Sequence, residues 1–301
     1  MIALPFQSNE TRDLHDVARL FGGRVHRNGR FGNLGMFRNF GTEMLTIYYD
    51  PKFRPQFDEN IGNFSCVVTT DEHAESIPPH LGVLVAEKPL DVFLKLHFHF
   101  CERDPGFYTR RQKTVIDPAA KVHRTAVIPD ENVVIEAGAV ISANVVIEEN
   151  TFIGQNCFIG PGVAIGGPGF EMRYIDGVVT YVPHAGGVTI SAGTHVLANA
   201  CIARSVFGGA TVIGANCKID HLVHVAHAAV IGANCRLVAG SSIGGATRLG
   251  DDVWVGPNAV IANSLVVGDK AWIAMGAAIA KDVAPGVRML PTFARPMPVM
   301  S

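Results

Sequence analysis

The sequence predicts a mainly β protein, with a parallel β-helix of hexapeptide repeats at about 114–283 behind a small α+β domain at 1–105. The first observation is a ladder in which every sixth residue from Ile213 to Ile279 is aliphatic. A period of six fits neither an amphipathic helix nor an alternating strand, but it is typical of coils whose short strands each bury one branched side chain. The second is an 18-residue echo, with VIGANC at 212–217 and again at 230–235. Three hexapeptides therefore form one coil.

The same ladder starts earlier and is interrupted twice. Its earlier aliphatic positions are Ile116, Val122, Ile128, Ile135, Ile141, Ile147, Ile153, Ile159, Ile165, Ile190, Val196 and Ile202. The interruptions are a long insertion at 166–187 and a shorter one at 203–212. Insertions in a solenoid lie on one face and often build the binding site, so both are expected near it.

The first hundred residues have no hexapeptide period and alternate between strand-like and helix-like segments. This pattern is typical of an α+β domain. The predicted strands are Leu45–Tyr49, Cys66–Thr70 and Gly82–Ala86, and the predicted helices are Leu14–Phe21 and Leu90–Phe100. A polar linker is expected at 106–113 and a C-terminal tail at 284–301.

Charge and cysteine usage exclude several classes of protein. With 25 Lys and Arg against 27 Asp and Glu the chain has no basic field, which argues against nucleic acid as a partner. No apolar run approaches the ~18 residues of a membrane span, and residues 1–12 do not resemble a signal peptide, so a cytoplasmic protein is expected. The six cysteines form no CxxC pair, so the sequence predicts reduced thiols and no metal site.

Four segments together resemble one enzyme family. They are LTIYYDPKFRP at 45–55, GGPGF at 166–170, VPHAGGV at 182–188 and IDHLVHVAH at 219–227. With the ladder that follows them, the chain resembles bacterial UDP-3-O-acylglucosamine N-acyltransferases, which acylate a sugar amine during lipid A synthesis. The resemblance implies a left-handed β-helix and a homotrimer with active sites in the clefts between subunits.

His227 is the expected catalytic base. It ends an H-x-A-H segment that matches the motif of the family's base and is also like that of the sister UDP-N-acetylglucosamine O-acyltransferases. An amine that attacks a thioester must lose a proton, and an imidazole with a pKa near 6.5 accepts it at neutral pH. One coil further, at +18, lies Gly245, where the related enzymes use a backbone N–H as oxyanion donor. For His221 and His224, a role in decorating the solenoid face remains an equal alternative.

The resemblance also implies substrate-binding residues, with departures from the family pattern. Phe53 matches one of two aromatic residues that hold uracil, Ile47 replaces the other, and Asp50 replaces an amide that contacts the base. Ser264 stands where the family has a second histidine near the sugar-nucleotide phosphate, and Ala228 stands where an acidic or amide residue follows the base. Three further residues within the matched segments are expected to bind substrate: Asp220, His224 and Phe170.

These observations predict an N-acyltransferase that moves an acyl group from a thioester to the amine of a sugar nucleotide, most simply a UDP-3-O-acylglucosamine. No bound cofactor is expected, and acyl carrier protein or coenzyme A carries the thioester. The family's C-terminal helical extension is not expected here, which favours a second hypothesis: a short acyl-CoA donor and an amino-deoxy sugar nucleotide of surface polysaccharide. A non-catalytic trimeric scaffold is the third. A zinc carbonic anhydrase is disfavoured because His221 and His227, six residues apart, lie on neighbouring faces.

Overall fold

The N-terminal domain is a five-stranded sheet with helices packed on it. A computed structural model of the protein describes residues 4–37, 41–175 and 177–291. Its first strands are β1 (Arg12–Asp13), β2 (Arg24–Arg27), β3 (Arg30–Phe31), β4 (Asn33–Leu34), β5 (Met44–Tyr48), β6 (Phe64–Thr69) and β7 (Gly82–Val85). The α-helices are α1 (Leu14–Phe21), α2 (Arg54–Glu59) and α3 (Pro89–Glu102), and the 3₁₀ turns are Pro51–Phe53, Ile61–Asn63, Asp71–Ser76 and Pro105–Phe107. The sheet order is β2-β7-β6-β5-β4, and β1 pairs with β3.

The ends of the first and third helices follow from local sequence. The Asp13 carboxylate accepts a hydrogen bond from the His15 N–H at 2.8 Å and caps α1, which ends at Gly22 with φ 81°. Pro89 opens α3, a position where the missing N–H costs nothing. The three predicted strands and two predicted helices of this domain are confirmed within one or two residues at most ends.

The rest of the chain is a three-faced solenoid of parallel strands, and each face is one sheet. Face A contains Val115–Ile116, Val133–Ile135, Thr151–Ile153, Gly187–Ile190, Ala210–Ile213, Val230–Ile231, Arg248–Leu249 and Val266–Val267. Face B contains Lys121–Val122, Val140–Ile141, Phe158–Ile159, His195–Val196, Lys218–Ile219, Arg236–Leu237, Trp254–Val255, Trp272–Ile273 and Arg288–Met289. Face C contains Val146–Ile147, Ala164–Ile165, Cys201–Ile202, His224–Val225, Ser242–Ile243, Val260–Ile261 and Ala278–Ile279.

The aliphatic ladder forms the core of the solenoid. Val225, for example, pairs with Ile202 on one side and Ile243 on the other, and all three are fully buried. At the corners, Asn216 and Asn234 have φ near +59°, a left-handed conformation that asparagine tolerates better than most residues. The predicted fold class is therefore confirmed: mainly β, with a parallel β-helix of hexapeptide repeats behind a small α+β domain.

Two predicted boundaries differ from the structure. The ladder continues past 283, because Arg288–Met289 pairs with Trp272–Ile273 on face B. The segment 106–113 is not a free linker, since Phe107 and Tyr108 are buried in the core of the N-terminal domain. Residues 292–301 of the predicted tail lie outside the described residues.

Both insertions pack against the N-terminal domain. The longer one contains a β-hairpin, Met172–Ile175 paired with Val178–Tyr181, called here the inserted hairpin. From the shorter one, Phe207 packs on Phe93 of α3 with ring centroids 5.1 Å apart. The insertions therefore add Val182, Val206 and Phe207 to the hydrophobic core of the N-terminal domain, which is separate from the core of the solenoid.

Among the described residues, none of the helices combines the length and apolar character that a membrane crossing requires.

Candidate active site

One cavity of about 320 Å³ lies where the N-terminal domain, the inserted hairpin and the solenoid meet. Its apolar end is built by the N-terminal domain and its polar end by the solenoid and the hairpin. The cavity is lined by Met36, Phe37, Ile47, Tyr49, Phe53, Gln56, Leu90, Leu94, Glu171, Arg173, Val182, Val206, Phe207, His227, Gly245, Ala246, Asn263 and Ser264. Of the sequence-predicted site residues, it brings together His227, Gly245, Phe53 and Ser264.

The solenoid register fixes the position of His227. It follows the face C strand His224–Val225 at a corner, where the Ala246 N–H donates to the His227 carbonyl at 2.9 Å. This bond joins His227 to the coil that carries Gly245, as the +18 spacing predicts. Burial lowers the pKa of His227, and Glu171 acts in the opposite direction. A lowered pKa keeps the imidazole neutral at pH 7, which a general base requires.

The carboxylate beside His227 comes from the inserted hairpin region. Glu171 Oε2 lies 3.5 Å from His227 Nε2, and its Oε1 lies 2.6 Å from the Arg173 guanidinium. The side chains of His227 and Glu171 are only 16% and 18% exposed. Ala228, the residue that follows the base, has no carboxylate. Glu171 therefore supplies a carboxylate beside His227 from a different part of the chain. No periodic signal in the sequence indicates this contact, because the insertion follows no repeat.

A second imidazole packs against the base. The ring of His184 lies edge-to-face with that of His227, with centroids 5.6 Å apart. Burial lowers the pKa of His184 to about 4, so it is neutral near pH 7. Its Nδ1 lies 3.0 Å from the Val182 carbonyl, which can only accept, so Nδ1 carries the proton. A Cβ on Gly169 would lie 3.1 Å from His184 Nε2 and 3.3 Å from His227 Cδ2, so glycine here permits the two rings to meet.

The predicted oxyanion donor is already hydrogen-bonded. The Gly245 N–H donates to Asn263 Oδ1 at 2.9 Å, so it already has an acceptor in this structure, and its role as oxyanion donor stays a prediction. A backbone N–H can only donate, so the amide oxygen of Asn263 must face it and the Nδ2 group points elsewhere. Asn263 lies 18 residues beyond Gly245, on the next coil, so the register could have identified it.

The apolar end of the cavity contains Phe53, the residue for which the resemblance implies contact with uracil. Its ring lies 5.8 Å from that of Phe37, and Tyr49 lines the same region. Ile47 is on the wall, where the resemblance implied an aromatic residue. Gln56, one turn further along, supplies a side-chain amide to the wall. Sequence reasoning missed Phe37, Tyr49 and Gln56, because loop and turn positions of this domain carry no repeat register.

Four predicted substrate-binding residues do not line this cavity, and their assignment stays a prediction. Asp50 caps the turn at Pro51–Phe53 and pairs with Lys52 at 2.5 Å, and hydrogen bonding to Lys52 lowers the pKa of Asp50. Asp220 Oδ1 lies 2.6 Å from His221 Nδ1. His224 is on the outer surface of face C, and Phe170 is 84% exposed.

Across the described residues, no three His, Cys, Asp or Glu side chains are grouped in a way that could hold a metal ion.

Two hexapeptide repeat families match parts of the solenoid. The bacterial transferase hexapeptide family, six repeats, matches residues 210–245, and the hexapeptide repeat of succinyl-transferase matches 144–167 and 246–281.

Part of the chain is similar in sequence to two known acyltransferases. The chain is 44% identical over 64 residues to UDP-3-O-acylglucosamine N-acyltransferase 1 of Legionella pneumophila (strain Paris), which covers 21% of this chain and 18% of that protein. It is 44% identical over 66 residues to UDP-3-O-acylglucosamine N-acyltransferase of Caulobacter sp. (strain K31), covering 22% and 19%. These matches confirm the resemblance found in the sequence, although the matched region spans less than a fifth of each relative's length.

Among solved structures, UDP-N-acetylglucosamine acyltransferase of Francisella novicida aligns at a TM-score of 0.46 and 25% identity, over 58% of this chain and 64% of that one. UDP-N-acetylglucosamine acyltransferase from Campylobacter jejuni aligns at a TM-score of 0.40 and 28% identity, over 56% and 69%.

Proposed function

We propose that this protein is an N-acyltransferase that moves an acyl group from a thioester to the amine of a sugar nucleotide, a UDP-3-O-acylglucosamine-like acceptor in lipid A synthesis. The observation that carries the proposal is the single cavity shared by His227 and Phe53. It combines a largely buried neutral imidazole at one end with an aromatic wall at the other. The names of the curated relatives support the acyl-transfer chemistry and the acceptor class.

In the proposed reaction the acceptor amine attacks the thioester carbonyl carbon. The C–N bond forms, the C–S bond breaks, and His227 takes the proton from the amine and passes it to the departing thiolate. General base catalysis of this kind contributes a factor of roughly 10²–10⁴ to the reaction rate. The sulfur leaves as the thiol of acyl carrier protein or coenzyme A, and no bound cofactor takes part.

The developing oxyanion needs a hydrogen-bond donor, and Asn263 supplies it in this proposal. Its Oδ1 is fixed by the Gly245 N–H, which orients the Nδ2 group of the same amide. Asn263 lines the cavity together with His227, so one wall offers both the base and the donor. A single well-placed donor of this kind contributes about 10²–10³-fold to kcat.

The aromatic end of the cavity suits the nucleobase of the acceptor. Phe53 presents a ring for stacking, and Gln56 offers both a donor and an acceptor to the edge of a base. In this proposal Gln56 takes over the role that the sequence assigned to Asp50. Ser264 and Arg173 line the polar end, where the phosphates of the acceptor would lie.

We further propose a cytoplasmic homotrimer. Face C presents small or uncharged residues outward, a surface on which copies of the chain can pack closely. These outward residues are Val146, Ala164, Cys201, His224, Ser242, Val260 and Ala278. The location of the site in a cleft between subunits stays a prediction.

Mass spectrometry of amino-sugar nucleotides after incubation with the purified protein tests the proposal. Each acceptor is offered with long-chain hydroxyacyl carrier protein and, separately, with acetyl-CoA. A long acyl amide on 3-O-acylated UDP-glucosamine is the expected product. A short acyl amide formed from acetyl-CoA would support N-acyl transfer, but it would favour the second hypothesis, in which the acceptor is an amino-deoxy sugar nucleotide of surface polysaccharide. The absence of any product with either donor would contradict the proposed function and leave the scaffold hypothesis.

A further inference from the structure

The neighbourhood of His227 contains a carboxylate that neither the motif nor the relatives' names assign. The residue that follows the base is Ala228, which has no polar side chain. Glu171, from the insertion, approaches the ring instead, with its Oε2 3.5 Å from His227 Nε2. Both side chains are largely shielded from water, where a charge pair of this separation interacts more strongly than on the surface.

The Glu171 carboxylate is held from its other side. Its Oε1 lies 2.6 Å from the Arg173 guanidinium, and Arg173 belongs to the inserted hairpin. The two oxygens therefore contact two different partners, Arg173 and His227. This arrangement fixes the direction from which the carboxylate faces the imidazole.

The other groups around His227 do not take this role. His184 contacts the ring by an edge-to-face arrangement and is neutral near pH 7, since burial lowers its pKa to about 4. His224 and Arg173 disfavour a positive charge on His227, whereas Glu171 favours it and raises the His227 pKa. Gly245 offers the ring no side chain.

We propose that Glu171 is the positioning residue of His227: its carboxylate holds the ring proton on Nε2 and carries the counter-charge of the imidazolium, so that Nδ1 accepts the proton of the attacking amine. The inference rests on the proposed acyl transfer for its catalytic meaning. The insertion thus supplies a carboxylate that the repeat itself lacks after the base.

The first test needs no substrate. The protein is labelled with ¹⁵N-histidine, the His227 signals are assigned by their loss in His227→Asn, and the ring is titrated in the wild type and in Glu171→Gln. Because Glu171 favours the protonated ring, the pKa of His227 should fall in Glu171→Gln. In the wild type at high pH, the ¹⁵N shifts should place the proton on Nε2. An unchanged titration, or a proton on Nδ1, would overturn the inference.

The matched control is Glu75→Gln, because His26 Nε2 and Glu75 Oε1 lie at the same 3.5 Å distance on the N-terminal domain. It should leave the titration of His227 unchanged.

The second test uses the acyl-transfer assay. Glu171→Gln should lower kcat by about tenfold or more, with a smaller change in KM, and should move the acidic limb of the kcat profile to lower pH. Glu171→Asp, which keeps the charge on a shorter stem, should recover part of the lost kcat. A loss of kcat with no movement of the acidic limb would overturn the inference. If the wild type forms no product, the proposed function fails, and the titration still decides the relationship between Glu171 and His227.

Discussion

Gly245 lies directly against the imidazole of His227. A Cβ on Gly245 would stand 2.5 Å from His227 Cε1 and 2.6 Å from Nε2, closer than real Cβ contacts occur. Glycine is therefore required here by the approach of the ring. Since the +18 register places these two residues on adjacent coils, the repeat itself builds the wall against which the base rests.

Gly245→Ala should displace the His227 ring and leave the solenoid folded. A misplacement of about 1 Å can cost on the order of 10²-fold in rate, so kcat should fall by roughly that factor. Circular dichroism and steady-state kinetics check the two halves of the prediction. Gly62→Ala is the matched control, since a Cβ there meets nothing within 4 Å. Full kcat in Gly245→Ala would mean that the position of this ring does not matter for turnover.

Asn263 is expected to stabilise the oxyanion. Asn263→Asp keeps an oxygen for the Gly245 N–H but removes the Nδ2 donor, so kcat should fall about 10²–10³-fold while the fold persists. Asn263→Ala frees the Gly245 N–H, and the same loss is expected. An unchanged or higher kcat in Asn263→Ala would return the donor role to Gly245.

Phe53→Ala should mainly raise the KM for the sugar nucleotide. Base–aromatic stacking is worth about 1–3 kcal/mol, which corresponds to roughly 5- to 150-fold in KM. Phe158→Ala, on face B and away from the cavity, is the control and should not change KM. If both variants have the KM of the wild type, the N-terminal domain does not hold the base.

The stability of the protein should fall as the pH drops from about 6.5 to about 4. His97 of α3 is fully buried between the Tyr108 hydroxyl at 2.7 Å from Nδ1 and the Pro183 carbonyl at 2.8 Å from Nε2. Burial lowers its pKa to about 4, whereas the unfolded chain titrates near 6.5. In this window the unfolded state binds more protons, so acid removes stability. The loss reaches about 3 kcal/mol well below pH 4.

Chemical denaturation of the wild type and His97→Gln as a function of pH measures that contribution. The variant cannot titrate at this position, so its free energy of unfolding should depend less on pH over the same window. Equal pH dependence in the two proteins would contradict the prediction, because it would show that the protonation of His97 on unfolding does not contribute to the loss of stability in acid.

The solenoid is predictable from the sequence because the same pattern of buried side chains and corners repeats in every coil. A buried aliphatic residue every six positions defines the three faces, and the 18-residue coil alone predicts that Gly245 lies beside His227. The same register places Asn263 one coil beyond Gly245, so the contact between these two residues is also predictable from the sequence.

The non-periodic parts are not predictable in the same way. Glu171 reaches His227 only because the inserted hairpin folds back over the coil, and that path has no repeat to reveal it. The resemblance implies that Asp50 contacts the base, whereas in the structure its carboxylate caps the adjacent turn and pairs with Lys52. Local hydrogen bonding therefore determines the orientation of the Asp50 carboxylate.

Acyl transfer by His227→Asn and wild-type protein, compared under saturating donor and acceptor, measures the role of the base most directly. We expect kcat to fall by roughly 10²–10⁴-fold, with unchanged thermal stability and unchanged elution on size exclusion. Near-normal turnover in His227→Asn would contradict the assignment of His227 as the catalytic base and, with it, the proposed mechanism.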